Sequence, residues 1–480
     1  MPSTPSRAGE RARTRRASDW TALGSSFRDP SGFVFRREDT LFRQVNESFR
    51  EDYDAFIATG LYERLVAEHL LVPHEELHPA EAPEPGAYKL LKPETVGFIS
   101  YPYEWCPGQL HDAALVTLRV QELALDHGMS LRDASAYNVQ FHRGRPTLID
   151  TLSFERLSEG RPWVAYRQFC QHFLAPLALA ALVDPRLTQL ARVHIDGIPL
   201  DLASALLPGG TKLRPGLLAH IHAHAKAQKK YEGAGAPTAD TGRTPNFSMQ
   251  AFRGLLDSLA GTVRKLRWEP GASTWAGYYE TGASYSADAL ADKERIVASM
   301  LDAVAPSTVW DLGANTGRFS RLAADRGAAT IAFDFDVAAV ERNWREVREK
   351  REESVLPLVL DLTNPSPAIG WANGERMTIA ERGPVDLVLA LALVHHLAIG
   401  NNVPLDRVAD FLASVGRAAI VEFVPKDDDM VRRLLATRDD VFPGYTRDGF
   451  EAAMTQRFTV ERAEPVGGSS RVVYLLRRLG

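Results

Sequence analysis

Residues 308–334 constrain this chain more than any other stretch. They read Thr-Val-Trp-Asp-Leu-Gly-Ala-Asn-Thr-Gly-Arg-Phe-Ser, then a short helical pattern, then Ala-Thr-Ile-Ala-Phe-Asp. The order is strand, glycine turn, helix, strand. Val309 and Trp310 belong to a buried strand that Asp311 ends, and Gly313 and Gly317 bracket a turn opening into a helix that carries Phe319, Leu322 and Ala323. Glycine in such a turn lets backbone approach a ligand closely. The second strand, residues 329–333, ends in Asp334, at about the separation where an acid meets ribose hydroxyls in nucleotide-binding βαβ units. The unit therefore implies an α/β fold and a nucleoside-bearing cofactor.

The turn narrows the choice of nucleoside. A dinucleotide fingerprint needs a glycine where Asn315 stands, so that a pyrophosphate can rest on the helix N-terminus. The stretch instead resembles the first motif of class I S-adenosylmethionine (SAM) methyltransferases, D/E-x-G-x-x-x-G, and the resemblance extends over residues 270–480. It implies that Asp311 helps hold the methionine end of SAM, that Gly313 lies against the ligand, that Asp334 binds the ribose diol and that Asp361 touches the adenine amino group. Asn315 and Gly317 complete the turn. Tyr285, in an aromatic stretch with Tyr278 and Tyr279, is assigned to the same site, the stretch being read as a lid, an acceptor wall or ordinary packing. Strand-like runs at 356–360, 385–393, 418–424, 458–464 and 471–476 suit a Rossmann-like seven-stranded methyltransferase sheet with an antiparallel edge.

Methyl transfer from a sulfonium chiefly requires positioning and exclusion of water, and no metal. A hydroxyl acceptor benefits from a base with a pKa near neutral. His395 and His396, after the fourth parallel strand, are candidate bases, with Glu422 as a second choice and pocket lining as the competing role for the histidines.

In the first half, residues 32–36 and 40–45 alternate as a hairpin, residues 49–66 repeat apolar residues at helical spacing, residues 73–86 read as a loop, and 87–91 and 96–101 read as strands. A helix over 113–127 closes at Gly128. Leu131-Arg132-Asp133 then leads to Asn138, and after a short strand and turn to Asp150. This spacing resembles the catalytic segment of protein kinases and kinase-like phosphotransferases, which implies a base at Asp133 and Mg²⁺ held by Asn138 and Asp150. The departures are equally specific: Leu131 replaces the loop histidine, Thr151 and Leu152 follow Asp150, and no glycine-rich phosphate cover is present. Arg43, Lys89 and Lys92 are the available candidates for the phosphate-binding cation. The expectation is a kinase-like α+β domain of accessory function with weak Mg²⁺-nucleotide binding, the alternative being a bifunctional kinase and methyltransferase.

The expected organisation is a disordered basic tail at 1–24, the kinase-like domain at 25–232, a linker and amphipathic helix at 233–269, and the methyltransferase domain at 270–480. His220 and His224 share a helical face with His222 nearby, but no third metal ligand is evident, and the reading is an ordinary histidine face. The formal net charge of −5 and pI near 6.3 give no electrostatic reason for a nucleic-acid partner. Two cysteines cannot form a disulfide framework, and no apolar run reaches the roughly 18 residues of a membrane span, so a cytoplasmic protein is expected. The tandem arrangement is similar to nodulation-type bacterial methyltransferases, which implies a small-molecule or glycan acceptor. An NAD-dependent oxidoreductase and a SAM-binding scaffold without turnover are the competing readings.

Overall fold

The alternating apolar residues of the expected hairpin form β2 (Gly32–Arg37) and β3 (Thr40–Asn46), paired antiparallel in a computed structural model. The structure describes residues 20–226, 247–271, 286–436 and 439–480. β1 (Thr21–Ala22), β4 (His74–Leu77) and β5 (Ala87–Pro93) complete an antiparallel sheet in the order β1-β2-β3-β5-β4. Two of these strands depart from the sequence reading. β1 falls inside the expected tail, and β4 inside the expected loop. β4 is an edge strand, where exposed Glu75 and Glu76 cost little and discourage further pairing.

Residues 49–66 were expected to form one helix but form two, Arg50–Ala58 and Leu61–Ala67, because Gly60 between them adopts φ 77°. Residues 96–101 form no strand. There the Gln140 side chain substitutes for a ladder partner: its Oε1 accepts from the Ser100 amide at 2.8 Å, and its Nε2 donates to the Ser100 carbonyl at 2.9 Å. The helix Pro107–Asp126 begins earlier than expected, with Pro107 in the first turn and Gln109 capping the Cys106 amide at 3.0 Å. Two short ladders follow, β6 (Met129–Leu131) with β9 (Phe154–Arg156) and β7 (Val139–His142) with β8 (Arg145–Leu148).

The amphipathic helix Met249–Lys265, grouped with the linker by sequence, packs on the first half. Phe252, Leu256, Leu259 and Val263 are buried in one apolar cluster with Leu118 and Leu125, and Arg253 donates to Asp126 at 2.7 Å. The expected linker and residues 275–285 of the aromatic stretch lie outside the described residues, Tyr278, Tyr279 and Tyr285 among them.

The second half is built on β10 (Thr308–Leu312), β11 (Ala329–Asp334), β12 (Val355–Val359), β13 (Val385–Ala390), β14 (Gly416–Phe423), β15 (Phe458–Pro465) and β16 (Val472–Arg478). Their order is β12-β11-β10-β13-β14-β16-β15, with β10 to β14 parallel to one another, β16 antiparallel to β14 and β15 antiparallel to β16 at the edge. A helix, Ala287–Val304, precedes β10; its Ser286 side chain accepts from the Ala289 amide and caps its N-terminus.

The halves are not separate bodies joined by a tether. One apolar cluster contains Leu110 and Phe141 from the first half and Trp344, Val355 and Leu358 from the second. Polar groups in the seam are matched: Trp344 Nε1 donates to Asp112, Gly108 N–H to Glu341, and Gln109 to the Pro357 carbonyl, at 2.7–3.0 Å. Arg382 pairs with Glu104 at 2.5 Å, with both side chains almost wholly buried. Among the described residues no helix is long and apolar enough to cross a membrane.

Candidate cofactor site and a second cavity

The strand order reverses at β10, which has β11 on one side and β13 on the other. Loops leaving such neighbouring strands part in opposite directions and open a crevice beyond the carboxyl ends. A cavity of about 300 Å³ lies there, lined by Gly313, Phe335, Asp334, Asp361, Ala392 and His396 among others.

The turn that shapes it needs unusual backbone. Gly313 and Asn315 adopt φ 77° and 53°, and the amides of Gly313 and Ala314 both donate to the Phe333 carbonyl at 2.9 Å. Asp334 ties the turn to the next loop: its Oδ2 accepts from the Asn315 amide and its Oδ1 from the Asp336 amide, each at 2.8 Å. Burial pushes its pKa up to about 6. Asp361 is exposed at the end of β12; its Oδ1 accepts from the amide and hydroxyl of Thr363 at 2.8 and 2.7 Å.

Two residues of the motif do not line the cavity. Asp311 is buried beneath the turn, accepts from the Ser320 hydroxyl at 2.7 Å and is pushed up to about 6 by burial. Gly317 starts the helix Arg318–Ala324 at φ 85°, where a Cβ would stand 2.5 Å from the Asn343 amide nitrogen. Its glycine serves helix packing as well as the turn.

The candidate bases separate in the same way. His396 lines the cavity; burial, then the charge of Arg471, lowers its pKa to about 4. His395 does not line it. Burial holds His395 well below the ordinary range. Glu422, the second-choice base, does not line the cavity: it is fully buried, with Lys293 at 2.7 Å and Arg471 at 3.6 Å, and Arg471 also pairs with Asp428 at 2.7 Å. A carboxylate flanked by two buried cations is charge-compensated, and desolvation makes removal of one partner costly.

Sequence reasoning missed Phe335 and Ala392. Phe335 presents an exposed ring at the cavity directly after Asp334, and its signal was an aromatic residue one place beyond the strand-end acid. Ala392 holds φ 52°, strain of the kind that persists at sites, and nothing in the sequence announces it.

A second cavity, of about 480 Å³, lies between the five-stranded sheet and the β7–β8 ladder. Asp133, Asn138 and Asp150 all line it, so the fold gathers the three residues that the spacing singled out. Asp133 Oδ1 accepts from the Ser135 amide at 2.8 Å, and burial followed by the charge of Asp150 raises its pKa. Asn138 donates to Ser153 Oγ at 3.1 Å. Of the candidate cations only Arg43 reaches the cavity, where it pairs with Asp150 at 2.6 Å; Lys89 is engaged with Glu76 at 2.5 Å outside it. The second half supplies residues 374–377 to the roof. Arg28 donates to both carboxylate oxygens of Glu375 at 2.9 and 2.6 Å, and Arg376 stacks 4.0 Å from the Tyr137 ring centroid.

His220 bonds Tyr166 at 2.7 Å through Nδ1 and Ser258 at 2.9 Å through Nε2, so both ring nitrogens are occupied by hydroxyls.

No protein-family model matches the sequence. The chain is 36% identical over 461 residues to the nodulation protein NoeA of Rhizobium meliloti (strain 1021), covering 95% of this chain and 96% of that protein. Among solved structures, the bifunctional kinase-methyltransferase WbdD matches with 18% identity over 42% of each chain and a TM-score of 0.29. The magnesium protoporphyrin IX methyltransferase ChlM of Synechocystis PCC 6803, with bound SAH, matches with 17% identity over 42% of this chain and 93% of that one, at a TM-score of 0.31. The chain thus spans less than half the length of WbdD, and likenesses at these scores carry no functional argument.

Proposed function

The chain belongs to the family of the nodulation protein NoeA, and from that premise we propose that residues 270–480 are a class I SAM-dependent methyltransferase and residues 25–232 a kinase-like domain of accessory function. The observation that carries the reading is the sheet order β12-β11-β10-β13-β14-β16-β15, with a cavity of about 300 Å³ at its switch point. That volume lies at the lower end of small-molecule sites.

The residues fit the cofactor. Asp334, at the end of β11, would accept the ribose hydroxyls; Asp361 has Oδ2 available for an adenine amino group; the Phe335 ring offers a face for the base. Gly313 leaves room for the ligand to approach the turn, where a Cβ would project toward Leu393. Bound there, SAM would supply a methyl group activated by its sulfonium. Asp311 supports this site from below, through the helix that begins at Arg318, by holding Ser320.

The acceptor is proposed to be a small molecule or glycan. At neutral pH His396 is an uncharged imidazole with a pKa near 4, too weak a base to ionise an alcohol efficiently. The reading therefore gives His396 a lining and orienting role, with an acceptor that reaches the cavity already nucleophilic. Incubation with methyl-labelled SAM and cell extract should yield S-adenosylhomocysteine and a labelled product of low mass. Cofactor binding without any S-adenosylhomocysteine would reduce the protein to a scaffold, and binding of NAD in place of SAM would replace the reading with an oxidoreductase.

A further inference from the structure

The kinase resemblance implies a divalent cation at Asp150, and the side chains in the second cavity do not fit one. Asp150 Oδ1 already meets Arg43 Nη2 at 2.6 Å and accepts from the Leu152 amide at 3.1 Å; its Oδ2 accepts from Ser153 Oγ at 2.6 Å. Asn138 donates its side-chain nitrogen to the same Ser153 hydroxyl, which leaves its Oδ1 as the one ligand atom of the implied pair not engaged by that bond. Mg²⁺ demands near-octahedral oxygen ligands with a carboxylate turned toward it. Here a guanidinium stands against that carboxylate, and a divalent ion would have to displace it or sit beside a like charge. Arg43 is anchored for this role: it projects from β3, and its side chain, like that of Asp150, is about 15% exposed. Among the described residues no three histidine, cysteine or acidic side chains converge as a metal site.

We propose that Arg43 permanently takes the place of the divalent cation, so that the second cavity is a metal-independent binding site for a small, uncharged, hydrogen-bonding molecule. The roof restricts its size. Residues 23–26, Arg28, Asp29 and residues 374–377 line the cavity; the bidentate Arg28–Glu375 pair ties the two segments, and a Cβ on Gly24 would stand 2.3 Å from the Gly374 carbonyl oxygen. The charge pattern restricts its chemistry. Four arginines, Arg28, Arg36, Arg43 and Arg376, line the cavity against six acids, Asp29, Glu94, Asp133, Asp150, Asp196 and Glu375, and with Arg43 and Arg28 paired to Asp150 and Glu375 the excess of carboxylate disfavours a polyphosphate arriving without a metal. His74 and His172, both lowered to about 4 mainly by burial, face it as neutral donors and acceptors. Such a lining satisfies hydroxyls and amides.

The site deepens the accessory reading of the first half, and its test is independent of the cofactor site. Full-length protein is titrated with Mn²⁺, with and without ATP, and uptake is read by electron paramagnetic resonance, while S-adenosylhomocysteine binding is measured on the same samples. The wild type and Asp150→Asn should take up equal Mn²⁺. Arg43→Gln should gain one Mn²⁺ per chain, lost again in the Arg43→Gln/Asp150→Asn double variant, and Arg43→Lys, which keeps the charge, should gain none. Mn²⁺ uptake by the wild type that Asp150→Asn abolishes would overturn the proposal. So would a folded Arg43→Gln variant that gains no Mn²⁺. Loss of S-adenosylhomocysteine binding throughout, with the Mn²⁺ pattern intact, would instead fault the methyltransferase reading alone.

Discussion

At Asp334 two backbone amides already hold the carboxylate, and burial still lifts its pKa to about 6. An ionised carboxylate accepts hydroxyls more strongly than its protonated form, by about 1 kcal/mol. The affinity for S-adenosylhomocysteine should therefore fall about five-fold as pH drops through 6, and Asp334→Asn should flatten that dependence; calorimetry between pH 5 and 7.5 checks both. The two glycines of the turn should behave differently. Gly313→Val should abolish binding because its side chain would occupy cavity space beside Leu393, at a stability cost limited to the strain of a branched residue at φ 77°. Gly317→Val should instead lower the melting temperature, because the new atoms collide with Asn343 and Arg321. Sequence spacing singled out Gly313 and Asp334, and the resemblance added Asp361; all three line the cavity, since strand ends and glycine turns are local. It could not separate Asp311 and Glu422 from the lining residues. Which way a strand-end carboxylate faces depends on Ser320, and on Lys293 and Arg471, brought from elsewhere in the chain.

At the scale of elements, the segment between β12 and β13 deserves a test because its start lines the first cavity and its middle roofs the second. Glu375 holds this roof by accepting from Arg28 and from the Trp371 amide at 2.6 Å, and the Met377 amide donates to the Tyr101 hydroxyl at 2.8 Å. Arg28→Ala should speed hydrogen exchange at Trp371 and Met377 while leaving the amides of β10 and β13 unchanged. Equal protection in the variant would show that the roof stands without its ion pair. Most strands were readable from alternation or from apolar runs, including the hairpin and β7, while β8 was not read as a strand. The misses share a cause: β4, the break at Gly60 and the unpaired run at 96–101 are set by an edge position, a left-handed glycine and a side-chain amide standing in for a ladder, none of which periodicity encodes.

For the whole molecule, the shared apolar cluster and the buried Glu104–Arg382 pair make the two halves one cooperative unit. Calorimetric unfolding should show a single transition, and Arg382→Met, which strands Glu104, should cost about 3–5 kcal/mol; two resolved transitions would contradict this. The linker composition at 233–245 spoke for two tethered domains, because a seam between distant segments leaves no local trace in sequence. Acid should destabilise the whole. His74, His172, His220 and His396 sit near pKa 4 in the fold against 6.5 unfolded, so the unfolded state binds more protons and stability falls as pH drops from 6.5 toward 4. Asp311 and Asp334, raised to about 6, oppose that trend in part, since they gain protons in the fold between 6 and 3.8. The most direct test of the cofactor assignment is calorimetry of the full chain with S-adenosylhomocysteine and with NAD, on wild type, Gly313→Val and Asp334→Ala. The account expects one S-adenosylhomocysteine bound per wild-type chain, no NAD, no binding to Gly313→Val and a ten- to hundred-fold loss, on the order of 1.5–3 kcal/mol, in Asp334→Ala; unchanged affinity in both variants, or preference for NAD, would contradict it.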